Sequence, residues 1–137
     1  MSLILDSSVT AAWVYMDEVN HAIRNVFDRV SNQGAWVPSL WRLEVGNILE
    51  MGVRRARHDA AFRDSTLADL RLLPIHIDPE TDRQAWTATL RLAEHHRLTL
   101  YDAAYLELAQ RCTLPLATLD TELRAAASAE NVPLLGV

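Results

Sequence analysis

Five short apolar runs constrain this chain most. They occupy residues 2–5, 35–37, 73–77, 116–119 and 132–135, each too short for a helix. Strands buried on both faces have this character, and strands that alternate with helices build a largely parallel sheet, because a parallel connection has to cross over. The intervening segments carry helical periodicity. A turn of helix is expected over residues 10–15, then a helix over 18–31 with Ala22, Ile23, Val26, Phe27 and Val30 on one face and Gly34 ending it. Ser39 is placed to cap a helix over 39–57, and another helix follows over 59–72. Asp78-Pro79 has the form of an N-cap followed by proline at the first helical position, for a helix reaching His96. A helix behind Thr99 and one beginning near Asp120 complete the pattern. The expected fold is α/β, one domain over 1–137, with helices on both faces of a five-stranded sheet.

Length and composition narrow the function. A chain of 137 residues, half of them hydrophobic and 23% charged, suits a single core. No apolar run approaches the roughly 20 residues of a membrane span. The first residues lack the features of a secretory signal, and Cys112 has no intramolecular partner, so a cytoplasmic location is expected. All thirteen basic residues are arginine. Without lysine there is no Schiff base and no Walker A phosphate loop, and four scattered glycines at 34, 46, 52 and 136 exclude a Gly-x-Gly-x-x-Gly loop. A net charge of −5 argues against a uniformly basic coat but permits a local basic patch for nucleic acid.

Four carboxylates stand out by position. Asp6 and Asp120 each follow an apolar run, at strand ends that line the ligand crevice in open α/β sheets. Asp102 leads an otherwise apolar face with Tyr105, Leu106 and Ala109, and Glu44 lies within the stripe Trp41, Ile48, Met51, with Asn47 one turn on. Each has a structural explanation. Asp6 and Asp120 fit N-caps, Thr99-Leu-Tyr-Asp102 fits a capping box, and Glu44 fits a stem packed under a solvated head. Should the four converge, their repulsion would call for protons or a cation, and an all-oxygen set suits Mg²⁺ or Mn²⁺. The chemistry of such a site is phosphate-ester hydrolysis.

Four segments taken together, Leu3-Ile-Leu-Asp6-Ser-Ser, Leu43-Glu44-Val-Gly-Asn47-Ile-Leu49, Leu100-Tyr-Asp102-Ala-Ala-Tyr-Leu-Glu-Leu-Ala109 and Leu116-Ala-Thr118-Leu-Asp120, resemble PIN-domain ribonucleases, most closely the VapC-type toxins. The resemblance spans nearly the whole chain. It implies a three-layer α/β/α fold and a Mg²⁺- or Mn²⁺-dependent endoribonuclease whose acidic site is Asp6, Glu44, Asp102 and Asp120. Ser7, Asn47 and Thr118 match supporting polar positions. It also implies homodimers, or larger toxin–antitoxin assemblies, and a cognate antitoxin. Gly46 departs from the alanine of many relatives.

Arg54, Arg55 and Arg57 form the densest basic run and are candidate RNA contacts, with a solvated helix end as the plain alternative. The four tryptophans are expected mainly in the core, and His95-His96 on the surface. Other readings are a PIN nuclease without an antitoxin and a non-catalytic α/β module whose acids are caps. An aspartyl-phosphate enzyme is disfavoured by Ser8, where a second acid would stand, and by the absence of lysine.

Overall fold

In a computed structural model, which describes residues 1–16 and 20–137, the five runs form one sheet. Its strands are β1 (Leu3–Leu5), β2 (Ala35–Val37), β3 (Ile75–Ile77), β4 (Leu116–Ala117) and β5 (Leu134–Leu135), in the order β3-β2-β1-β4-β5. Every neighbouring pair is parallel. The helices are α1 (Ser7–Tyr15), α2 (His21–Gln33), α3 (Trp41–Arg54), α4 (Ala60–Arg71), α5 (Thr81–Gln84), α6 (Leu90–His96), α7 (Leu100–Cys112) and α8 (Thr121–Ala129), with a π-helical segment, Ala85–Thr89, between α5 and α6. The architecture is the α/β/α sandwich anticipated from the strand–helix alternation.

Burial explains the layers. Leu3, Ile4 and Leu5 are wholly inaccessible, and α7 is buried from Ala103 to Ala109 because it lies across β1 and β4. From β1 the chain moves outward to β2 and β3, then returns to place β4 on the other side of β1. Strand order therefore reverses between β1 and β4, and the carboxyl ends of that pair flank the crevice of the fold.

Several local expectations are corrected. Helix α1 begins at Ser7 and not near Thr10, because extended Asp6 lets Val9 N–H reach the Asp6 carbonyl at once. Helix α2 begins at His21, capped by Asn20, and runs to Gln33 before Gly34 (φ +80°) stops it; the expected start at Glu18 lies outside the described residues. Ser39 does not cap α3. It sits in a turn, its N–H given to the Thr81 hydroxyl, and the helix starts two residues on. Asp78-Pro79 forms a turn before α5, with Asp78 accepting from Glu80 N–H and the Thr81 hydroxyl. Phe27, expected on the core face of α2, is partly exposed and packs edge-on to Trp13. Trp41 is buried and Trp13 and Trp36 pack against the core, whereas Trp86 is 84% exposed. His96 is mostly packed away, against the surface placement expected of it. Among the described residues no helix is long and apolar enough to cross a membrane.

Candidate active site

Asp6 ends β1 with its carboxylate only 4% exposed. It stands at the N-cap position of α1 but makes no side-chain cap bond. Its Oδ2 instead accepts from the Ser8 hydroxyl at 2.6 Å and the Thr118 hydroxyl at 2.7 Å. Both hydroxyls are held as donors. Ser8 Oγ receives Leu119 N–H at 3.0 Å and Thr118 Oγ1 receives Asp120 N–H at 3.1 Å, so each hydrogen is left for Asp6. The clamp joins the start of α1 to the segment leaving β4.

Asp120 does act as a cap: its Oδ1 accepts from Glu122 N–H at 2.9 Å and, more weakly, from Leu123 N–H at 3.5 Å. Its second oxygen is not used there. Asp102 shows half of the expected capping box. Thr99 Oγ1 accepts Asp102 N–H at 3.1 Å, but among the described residues no return bond ties the Asp102 carboxylate to Thr99. Thr99 satisfies the helix start, and the Asp102 carboxylate is left to feel the charge of Asp120.

Glu44, in the first turn of α3, accepts a 2.5 Å hydrogen bond from the Tyr105 hydroxyl of α7. Burial pushes the phenol's pKa far up, and Glu44 and Asp6 push it further, so Tyr105 keeps its hydrogen and donates it to Glu44. The Ser7 hydroxyl lies beside both groups. Asn47 is not the partner of Glu44. It is exposed and lines a cavity further along α3. Sequence reasoning missed Ser8 and the polar role of Tyr105. The available signals were Ser8 two residues after Asp6 and Tyr105 one turn after Asp102 on the same helix face.

The four acids feel one another. Burial raises the Asp6 pKa and Asp120 raises it further, against the lowering effect of Ser8 and Thr118. Burial also raises Glu44, with the Tyr105 bond opposing and the Asp6 charge adding. Asp102 is pushed up to about 6, by burial first and then by Asp120, Asp6 and Glu44. Residues from positions 6, 44, 102 and 120 thus share one electrostatic site at the strand-order reversal.

The donor set fits a hard divalent cation: it is all oxygen, partly buried and destabilised as a group of anions. Among the described residues no three His, Cys, Asp or Glu side chains are gathered tightly enough to hold one ion. An ion held by these carboxylates would have to keep much of its water, which Mg²⁺ tolerates.

The candidate RNA contacts divide. Arg54 is tied to Glu50 at 3.0 Å. Arg55 and Arg57 instead line the cavity that also contains Asn47. This cluster lies at the far end of α3, about 15 Å from Glu44 at the helical rise per residue.

The fold and the acid-lined crevice define the class. The PIN-domain family model matches residues 3–129, and the chain belongs to that family. Among solved structures it is similar to PAE2754 from Pyrobaculum aerophilum, at 27% identity over 91% of this chain and 78% of that one, with a TM-score of 0.65. It shares its fold with VapC20 of Mycobacterium tuberculosis, a sarcin–ricin-loop-cleaving toxin, at 16% identity over 90% and 94% of the two chains (TM-score 0.61). A chain of a toxin–antitoxin complex from Klebsiella pneumoniae is likewise similar in fold, at 15% identity over 87% of each chain (TM-score 0.57). No curated protein sequence matches the chain.

Proposed function

We propose that residues 1–137 form a single PIN domain acting as a divalent-metal-dependent endoribonuclease, the toxin of a VapBC-type pair working in the cytoplasm. The observation that carries this reading is that Asp6, clamped by Ser8 and Thr118 where β1 ends, stands with Asp102, Asp120 and the Tyr105-bound Glu44 at the crevice between β1 and β4, close enough for their charges to act on one another. In this reading Asp6, Glu44, Asp102 and Asp120 are the residues that would hold a Mg²⁺ or Mn²⁺ ion, with Asp6 and Asp102 its principal ligands. Such an ion, when bound, acts as a Lewis acid toward a phosphodiester and makes a neighbouring water more acidic.

The remaining work falls to the chain. Ser8 and Thr118 fix the Asp6 carboxylate in one orientation by donating to it. Tyr105 occupies Oε1 of Glu44, which leaves Oε2 to orient a water and take its proton. The Asp120 N-cap bonds hold that carboxylate at the rim while its second oxygen stays free. Ser7 supports Glu44 from the first turn of α1.

The partners follow the same reading. VapC20 is an RNA-cleaving toxin, and the Klebsiella structure is a toxin–antitoxin complex. Exposed Leu43 (78%) and Trp86 (84%) offer apolar surface for a second copy or an antitoxin to cover. Purified protein incubated with structured RNA tests the activity. Cleavage is expected with Mg²⁺ or Mn²⁺, and its loss with EDTA, in Asp6→Asn and in Asp102→Asn. Cleavage surviving chelation or either substitution would overturn the proposal.

A further inference from the structure

Helices α1 and α3 pack against each other and leave a cleft between them. Ser7, Ala11 and Tyr15 recur every fourth residue along α1, so they share one face. Ser7 meets Glu44 at the acidic end. One and two turns further, Ala11 and Tyr15 face Ile48, Met51 and Arg55 across a cavity of about 430 Å³. The cavity thus lies along the same face of α1 as Ser7, with Arg55 and Arg57 in its lining.

Its far end is built. Helix α3 closes with Ala56 N–H bonded to Val53 and Arg57 N–H bonded back to Gly52, a Schellman turn with Ala56 at φ +56°. The turn folds Arg57 and His58 back over α1. The Arg57 guanidinium lies 3.9 Å from the centre of the Tyr15 ring, and the Tyr15 hydroxyl is bonded to His58 Nε2 at 2.6 Å. Gly52 makes room: a Cβ there would stand 2.7 Å from the Tyr15 hydroxyl. Arg57 is thus seated on an aromatic ring. Among the described residues neither Arg55 nor Arg57 has an ion-pair partner, whereas Arg54 and Arg63 both pair with Glu50.

Two arginines lining one cavity, without a carboxylate partner among the described residues and one of them stacked on an aromatic face, have the chemistry to receive a phosphate. We propose that this cleft is an RNA-backbone subsite, in which Arg55 and Arg57 bind a phosphate of the same strand whose scissile bond lies at the acidic pit; the inference rests on the nuclease reading above. Tyr15 positions Arg57, and Asn47 supplies an amide donor on the way. The eight helical rises between Ser7 and Tyr15 span about 12 Å. That is about three to four nucleotides at the roughly 3.4 Å rise of a stacked strand. Phosphates that flank the one at the pit are attracted where cations line their path, and Arg55 and Arg57 supply that charge here.

The test uses single-stranded RNA oligonucleotides of graded length. Binding to the cleavage-inactive Asp6→Asn protein is read by fluorescence anisotropy as salt is varied, and cleavage by the otherwise wild-type protein is read as KM and kcat. Arg55→Ala with Arg57→Ala is expected to raise KM for a ten-nucleotide RNA about tenfold or more with kcat little changed. The penalty should shrink once the RNA is too short to span the cleft. The salt slope of binding should flatten by about 0.7 for each phosphate that the variant no longer neutralises. Arg24→Ala, on α2, controls for net charge and should leave both unchanged. Tyr15→Phe, which keeps the ring under Arg57, should retain affinity, while Tyr15→Leu should lose part of it. Cleavage and binding that ignore the double substitution at every length would overturn the subsite while leaving the nuclease reading intact. Loss of binding to an acidic peptide but not to RNA would also overturn it, pointing to a protein occupant. If no RNA is cleaved by the unsubstituted protein, the nuclease reading fails on its own count. Length-dependent loss of RNA binding in the double variant of the inactive protein would still support the subsite.

Discussion

Tyr105 of α7 donates its hydroxyl hydrogen to Glu44 of α3, joining two helices that approach the crevice from different parts of the chain. The bond lowers the Glu44 pKa against the raising effects of burial and Asp6. Tyr105→Phe removes that opposition, so Glu44 should hold its proton to higher pH. A Glu44 that must be anionic to work would then shift the acid limb of the pH–rate profile upward. Loss of such a supporting bond typically costs about 10- to 100-fold in activity. Cleavage rates across pH for the two proteins check this, and an unmoved acid limb contradicts it.

Asp102 carries the clearest pH signature. Its pKa is about 6 in the folded protein, against an ordinary value of 3.8. Between those values the native state binds more protons than the unfolded chain, so stability falls as pH rises. The contribution is fully present below the unfolded value and lost as pH passes the folded one. The raised pKa values of Asp6 and Glu44 act with the same sign. In EDTA near neutral pH, Asp102→Asn should therefore melt higher than the wild-type protein, by about 2–4 °C, and the gap should close toward about pH 4. Addition of Mg²⁺ or Mn²⁺ should raise the wild-type melting temperature and have little effect on the variant. A wild-type protein whose melting is indifferent to both pH and cation would show that the charges do not interact as described.

Two glycines on α3 should respond oppositely to the same substitution. A Cβ at Gly46 meets nothing within 4 Å, so Gly46→Ala gains helix propensity without a clash, up to about 1 kcal/mol. A Cβ at Gly52 drives into the Tyr15 hydroxyl and the His58 ring. Gly52→Ala should lose about 1–3 kcal/mol, as overpacked sites do, and should release Arg57 from its seat on Tyr15. Urea denaturation of both variants, with RNA affinity measured alongside, separates the two outcomes.

Much of this arrangement is legible in the order of residues. Apolar runs between helical stretches suffice for a parallel sheet, since burial on both faces leaves that signature whatever the register. The acids are legible because burying a charge is costly and a carboxylate within an apolar stripe needs a reason. What escapes depends on pairing between distant segments. Ser39 has the composition of an N-cap, but its N–H is taken by Thr81, 42 residues on. Asn47 is the near neighbour of Glu44 along α3, yet Tyr105, 61 residues away, reaches the carboxylate first. Thr99-x-x-Asp102 has the spacing of a capping box, yet only the Thr99 half of it forms. Local spacing identifies groups able to pair, while topology decides which of them do.

Arg111 organises the other end of α7. Its guanidinium takes both oxygens of Asp78, at 3.1 and 2.6 Å, and both oxygens of Glu107, the nearest at 2.9 Å. Asp78 and Glu107 are almost wholly buried, at 4% and 5% exposure. Burial alone would raise the Asp78 pKa, but Arg111, Glu80 N–H and the Thr81 hydroxyl together hold it below the usual carboxylate value. A depressed carboxylate stabilises the fold above its unfolded pKa and loses that contribution as pH falls. Arg111→Leu strands two buried anions, a change that typically costs about 3–5 kcal/mol. It should also change the sign of the Asp78 contribution, because a buried Asp78 without Arg111 is tolerated best when protonated, so relative to the wild-type protein the variant should recover stability on acidification. Asp78→Asn with Glu107→Gln on the Arg111→Leu background should recover a large part of the loss, since no charge is then left to desolvate. Urea denaturation at several pH values in EDTA checks both outcomes. A single variant no less stable than the wild-type protein, or a triple variant no better than the single one, would mean that this triad does not hold α7 against the β3–α5 turn.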